Sequence, residues 1–138
     1  MFYNTSMVSE KNFLLNMQVR HSECDFQGIV NNSVYLSYLE HARVLMGIDS
    51  GLQIIDMAHR GVLWVVHEVN IKYHQPLQAA QDFVIESTAF LKGRMRAIFQ
   101  QKIIRKEDNV LILSAETTTA CIIGGRPAPF PEEITSVF

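Results

Sequence analysis

The stretch Asn32-Ser33-Val34-Tyr35-Leu36-Ser37-Tyr38-Leu39-Glu40-His41-Ala42-Arg43-Val44-Leu45-Met46-Gly47 decides the fold. Its apolar residues Val34, Tyr35, Tyr38, Leu39, Ala42, Leu45 and Met46 recur at steps of one, three or four, which is one face of an α-helix. Ser37, Glu40 and Arg43 fall mostly off that face. Asn31 or Asn32 supplies the N-cap side chain, and Gly47 supplies a stop. At ~1.5 Å per residue the segment is a rod of roughly 24 Å. No other stretch of the chain carries so long a helical pattern. Upstream, Leu15, Met17 and Val19 alternate within residues 12–20, the period of a strand. Downstream, Asp49-Ser50 caps a short helix through Leu52, Ile55 and Ala58. After Gly61 the pattern turns to strands. Leu63, Val65, His67, Val69, Ile71 and Tyr73 alternate with Trp64, Val66, Glu68, Asn70 and Lys72, which places His67 on the apolar side. That strand is unusually long, and Pro76 ends it. Further strands are predicted over 82–91, 94–105 and 110–123, divided by Lys92-Gly93 and by Lys106-Glu107-Asp108-Asn109 and closed by Gly124-Gly125. One strand, one long helix and four strands with tight turns predict an α+β chain: an antiparallel sheet of about five strands wrapped on a single helix.

The rest of the sequence narrows the function. With 138 residues, 48% hydrophobic and 19% charged, the chain reads as a single domain over 1–138. Residues 1–11 and the tail 127–138, with Pro127, Pro129 and Pro131, are expected to be extended or irregular. A net charge of −2 provides no basic field for nucleic acid. No apolar run approaches the ~18 residues of a membrane helix, and the first residues lack a secretory leader pattern. Cys24 and Cys121 make neither a disulfide framework nor a metal spacing, so two free thiols in the cytoplasm are expected, with no metal site and no cofactor.

Chemistry concentrates in Glu23-Cys24-Asp25-Phe26-Gln27-Gly28-Ile29-Val30-Asn31-Asn32, between the first strand and the helix. The first N–H groups of a helix lack internal partners and sit at its positive end, where they stabilise an oxygen gaining negative charge. Asp25 stands close enough in sequence to bring a carboxylate to the same place, and Gly28 permits a tight turn. A carboxylate beside an oxyanion donor suits acyl transfer or hydrolysis. An aspartate before a helix also serves as a simple turn residue. Cys24 has no neighbour that lowers its pKa, and His67 and His74 fall on opposite strand faces, against a shared metal.

Asp25-Phe26-Gln27-Gly28-Ile29-Val30-Asn31-Asn32, with Tyr35, Tyr38, Glu40, Ala42 and Arg43, resembles the signature of the hotdog-fold acyl-CoA thioesterases of the 4-hydroxybenzoyl-CoA thioesterase family. Tyr73-His74-Gln75-Pro76-Leu77, Asp82, Gly93-Arg94 with Phe99, and Gly125-Arg126-Pro127 with Pro131-Glu132-Glu133 continue the resemblance. It implies a curved antiparallel sheet around one central helix. Subunits would join into homodimers or homotetramers with the active site at the subunit interface. The substrate would be an acyl-CoA or acyl-carrier thioester, whose coenzyme A is substrate rather than cofactor. Asp25 falls on the catalytic carboxylate, as general base or nucleophile, and the Asn32 backbone N–H on the carbonyl-polarising donor. Glu40 is a candidate supporting group. Gly28, Val30, Asn31, Tyr35, Tyr38 and His67 are candidates for binding substrate, with the pocket completed around Trp64 to Val69. Lys92, Arg94 and Arg96 are candidates for the coenzyme A phosphates. Relatives often place His at the position of Ile29, or His or Tyr at that of Asn32, and Ala80-Gln81 replaces a glycine common before the aspartate. The missing histidine disfavours the alternative of an acyl-thioester hydratase or dehydratase. A non-catalytic acyl-thioester binding module is a further alternative, and it would not need Asp25.

Overall fold

The computed structural model describes residues 12–138; the expectation for residues 1–11 lies outside them. The order is β1 (Phe13–Gln18), a 3-10 turn (His21–Glu23), α1 (Asn32–Asp49), α2 (Ile54–His59), β2 (Val62–Tyr73), β3 (Asp82–Lys92), β4 (Arg96–Arg105), β5 (Val110–Ile123), β6 (Arg126–Ala128) and α3 (Glu132–Thr135). The strands form one antiparallel six-stranded sheet in the order β1-β3-β4-β5-β2, and β6 pairs with the end of β5. About five strands were expected; the sixth is the short β6.

The helix lies on the sheet because its apolar stripe has nowhere else to go. Tyr35, Tyr38, Leu39 and Ala42 are buried with Phe83, Ile85, Ile103, Leu113 and Ala115 in one core. A second cluster of Leu52, Met57, Val62, Ala97, Cys121, Phe130 and Ile134 sits towards the C-terminal end of α1. A polar chain runs beneath the helix. The Gln101 amide donates to the Leu39 carbonyl at 3.1 Å and to the Ser87 hydroxyl at 3.0 Å. Arg43 Nη1 donates to Gln101 Oε1 at 3.1 Å, and Thr117 Oγ1 lies 3.5 Å away. Buried polar groups are stable only when partnered in this way.

Four sequence readings are corrected. First, α1 does not stop at Gly47 but runs to Asp49 with Ser50 as C-cap, so Asp49-Ser50 does not cap the next helix; its N-cap position is Gln53, whose side chain makes no capping bond. A Cβ at Gly47 would come within 2.9 Å of the terminal methyl of Ile54, so a larger residue there needs that side chain to move. Second, β2 carries a bulge between Val66 and Glu68 that leaves His67 outside the register. Side-chain parity reverses there. Trp64 and Val66 pair with Cys121 and Thr119, whereas beyond the bulge Val69, Ile71 and Tyr73 pair with Thr117, Ala115 and Leu113. His67 is therefore exposed rather than on a core-facing row. Third, Arg43, placed mostly off the apolar face, nevertheless bonds into the core chain. Fourth, the tail is not wholly irregular: it forms β6 and α3, pinned by buried Phe130 and Ile134.

Ala80 has φ +68°, a left-handed backbone that L side chains resist by about 1–2 kcal/mol. Its N–H donates to the Val19 carbonyl at 3.0 Å, which holds it there. Glycine adds freedom to the unfolded chain worth about 0.5–1 kcal/mol. Ala80→Gly is thus expected to raise stability by up to about 1 kcal/mol, read from the midpoint of urea unfolding; a lower midpoint would contradict this account of the turn.

Candidate active site

The loop from Glu23 to Asn31 folds back on itself. Asp25 N–H donates to the Ile29 carbonyl at 2.8 Å, Gly28 N–H to the Asp25 carbonyl at 2.9 Å, and Asn31 N–H to the Glu23 carbonyl at 3.0 Å. An antiparallel bridge joins Cys24 to Val30, and another ties Ile29 to Gln78. Gly28 has φ +84°, which explains the glycine at this turn. Asp25 and Asn32 thereby stand on the two arms of one closed loop.

The Asp25 carboxylate is half-buried and held by its own loop. Its Oδ1 accepts from Gln27 N–H at 2.8 Å and from Ile29 N–H at 3.4 Å. Its Oδ2 has no hydrogen-bond partner among the described residues. One oxygen is fixed and the other is open, as a base or nucleophile requires.

Asn31 is the N-cap of α1. Its side-chain oxygen accepts from Ser33 N–H at 3.0 Å and its carbonyl from Val34 N–H at 2.9 Å. The N–H of Asn32, first residue of the helix, has no partner among the described residues. It is an exposed donor at the positive end of an 18-residue helix.

Tyr35 and Tyr38 anchor this loop from below. The Tyr35 hydroxyl accepts from Leu77 N–H at 3.1 Å, and the Tyr38 hydroxyl donates to Glu23 at 2.7 Å. Burial first, and then the Glu23 hydrogen bond, push the Tyr38 hydroxyl far above its ordinary range, so it remains a donor. Both rings are buried in the core rather than exposed at a surface. Sequence reasoning gave no role to Glu23, whose carboxylate also accepts from Arg20 N–H at 2.8 Å and so closes the 3-10 turn at His21–Glu23. The pairing of Tyr38 with a residue 15 positions upstream leaves no mark in local periodicity.

The other candidates lie elsewhere. Val30 is buried beneath the loop. Glu40 lines a cavity of about 150 Å³ between the C-terminal half of α1 and the sheet, with Arg43, Val44, Trp64, Val66 and Phe99 among its walls. His67 lies on the bulge of the edge strand β2. Lys92, Arg94 and Arg96 surround the β3–β4 turn and form no ion pair among the described residues. Residues Gln78–Gln81, which touch the loop, immediately precede the opposite end of β3. At ~3.3 Å per residue, the length of β3 separates these cations from the loop by roughly 30 Å within one chain.

Comparison with known proteins bears on the family and the fold. Residues 19–138 match the model of the thioesterase-like superfamily. The chain is 28% identical over 125 residues to the chloroplastic acyl-acyl carrier protein thioesterase ATL2 of Arabidopsis thaliana, covering 90% of this chain and 66% of that protein. It is 23% identical over 124 residues to the acyl-CoA thioester hydrolase YbgC of Escherichia coli, covering 88% and 92%. The crystal structure of Slr0204 from Synechocystis, a 1,4-dihydroxy-2-naphthoyl-CoA thioesterase, superposes with a TM-score of 0.87 at 18% identity, over 92% of this chain and 95% of that one. The antiparallel sheet around α1 is thus a hotdog fold. With a family match that spans the loop, the helix and all the strands from β2 onward, the chain belongs to the thioesterase-like superfamily.

Proposed function

We propose that this protein hydrolyses acyl thioesters, of coenzyme A or of an acyl carrier protein, to a free acid and a thiol. The observation that carries the reading is the open Asn32 N–H at the helix end, set on the same closed loop as the half-free Asp25 carboxylate. The thioester oxygen accepts from Asn32 N–H as it gains charge. Asp25 Oδ2 takes a proton from water, whose oxygen bonds to the acyl carbon; the C–S bond breaks and the thiolate leaves. In the nucleophilic variant Oδ2 itself bonds to the carbon, the thiolate leaves, and water resolves the mixed anhydride. Neither route needs a metal or a further cofactor.

The working unit in this reading is a dimer or a dimer of dimers. β2 is an edge strand of 12 residues with Val66 and Tyr73 48% and 52% exposed, a length of open ladder that favours pairing with a second copy. Phe26, beside Asp25, is 96% exposed, and a second copy would cover it. Antiparallel pairing of β2 with its own copy carries the second copy's β3–β4 cations to the end of the joined sheet that holds the loop, where they would meet the coenzyme A phosphates. The free thiols Cys24 and Cys121 suit the cytoplasm. No helix among the described residues is long and apolar enough to cross a membrane.

The test is a panel of acyl-CoAs with a thiol reagent, run alongside the solution mass. Thiol release by a species of at least dimer mass is expected. Binding without release would indicate a carrier or sensor module, and altered acyl unsaturation would indicate a hydratase.

A further inference from the structure

The start of α1 and the cavity lie on one side of the helix. Asn32, Leu36, Arg43 and Gly47 recur at intervals close to whole helical turns, with Glu40 beside them, so they form one stripe along the helix. The stripe starts at the open Asn32 N–H. It passes Leu36, an apolar residue 47% exposed, and ends at the cavity of about 150 Å³ walled by Arg43, Gly47, Trp64, Val66 and Phe99. A cavity of that size accepts a group comparable to a benzene ring.

Arg43 is the unusual wall. Burial lowers its pKa, an effect that Glu40 partly offsets, yet an arginine keeps its charge. Its Nη1 is committed to Gln101 and Thr117. Its Nε and Nη2 have no hydrogen-bond partner among the described residues. A half-buried guanidinium with open donors in a largely apolar cavity is a site for an acceptor. Because Glu40 lines the same cavity and its charge acts on Arg43, the acceptor it fits is an uncharged oxygen rather than a carboxylate.

We infer that the stripe measures the acyl group: the enzyme prefers medium-length acyl thioesters that carry a hydroxyl or oxo group near the far end, received by Arg43. This rests on the thioesterase reading above and gives it a substrate class. Arg43 lies eleven positions beyond Asn32. At ~1.5 Å each that is roughly 16 Å, and an arginine leaning back toward the helix N-terminus shortens it to roughly 10 Å, the span of an acyl chain of about eight to ten carbons.

The experiment compares kcat/KM for straight-chain acyl-CoAs of four to twelve carbons, each unsubstituted, with a 3-hydroxyl, or with a hydroxyl at the last carbon but one. The wild type is expected to favour the far-end hydroxyl over the unsubstituted chain by about ten- to hundredfold at eight to ten carbons, with no such gain from a 3-hydroxyl. In Arg43→Met that ratio should fall to near one, and in Arg43→Lys it should be intermediate. A wild-type ratio near one at every length would overturn the proposal whether or not the variants fold. So would an unchanged ratio in Arg43→Met. Thiol release without any oxygen preference would defeat the ruler alone, whereas no release from any member would bring down the thioesterase reading and the ruler together.

Discussion

Asp25→Asn should lower kcat by about 10²–10⁴-fold while leaving KM and the melting temperature close to wild type. The geometry makes this substitution unusually clean. Asp25 Oδ1 serves the loop by accepting from Gln27 and Ile29, and an asparagine carbonyl oxygen can accept both bonds. What the amide lacks is the open second carboxylate oxygen, which is the one assigned to water or to the acyl carbon. The loop's other supports do not involve the Asp25 carboxylate; they include the backbone Asp25–Ile29 and Asn31–Glu23 bonds and the Tyr38–Glu23 side-chain bond. A folded Asp25→Asn protein that keeps near-full kcat would remove Asp25 from the chemistry.

The second large effect concerns a single backbone hydrogen. Asn32 is the first residue of α1, the position where proline is best tolerated in a helix because its N–H has no helical partner. Proline also requires an extended residue before it, and Asn31 has φ −66° and ψ 140°. Asn32→Pro therefore deletes the proposed oxyanion donor and little else. The N-cap bonds of Asn31 to Ser33 and Val34 remain possible. Loss of one such donor is expected to reduce kcat by about 10²–10³-fold. The Asn32 side chain makes no hydrogen bond among the described residues, so its removal alone should matter far less.

The sequence foretold some of this well, and the reasons are local. α1 begins at Asn32 as its period demanded, and β5 spans Val110–Ile123 because turn residues bracket a stretch rich in the strand formers Val, Ile and Thr. The bulge at His67 was invisible because both candidate faces of β2 are apolar before it: Leu63 and Val65 on one side, Trp64 and Val66 on the other. Gly47 was misread because a glycine at the end of an apolar period is a common stop signal, whereas this helix runs on to Asp49. The inward bonds of Arg43 left no local mark because the groups that receive it, Gln101 and Thr117, stand 58 and 74 residues away. The tail's order depends on Phe130 and Ile134 docking beside Trp64 and Met57, a contact that no local pattern announces. At the site, the loop residues and the helix start were legible together. The tie from Tyr38 to Glu23 and the open state of the Asn32 N–H required coordinates.

The account turns on an amide and a carboxylate meeting one thioester carbon. The most direct measurement is kcat for acyl-CoA hydrolysis by Asn32→Pro beside Asn32→Ala, with unfolding followed on the same samples. The account predicts that the alanine variant stays within a few-fold of wild type, and that the proline variant, equally folded, falls at least about a hundredfold. Equal rates for the two folded variants would contradict it.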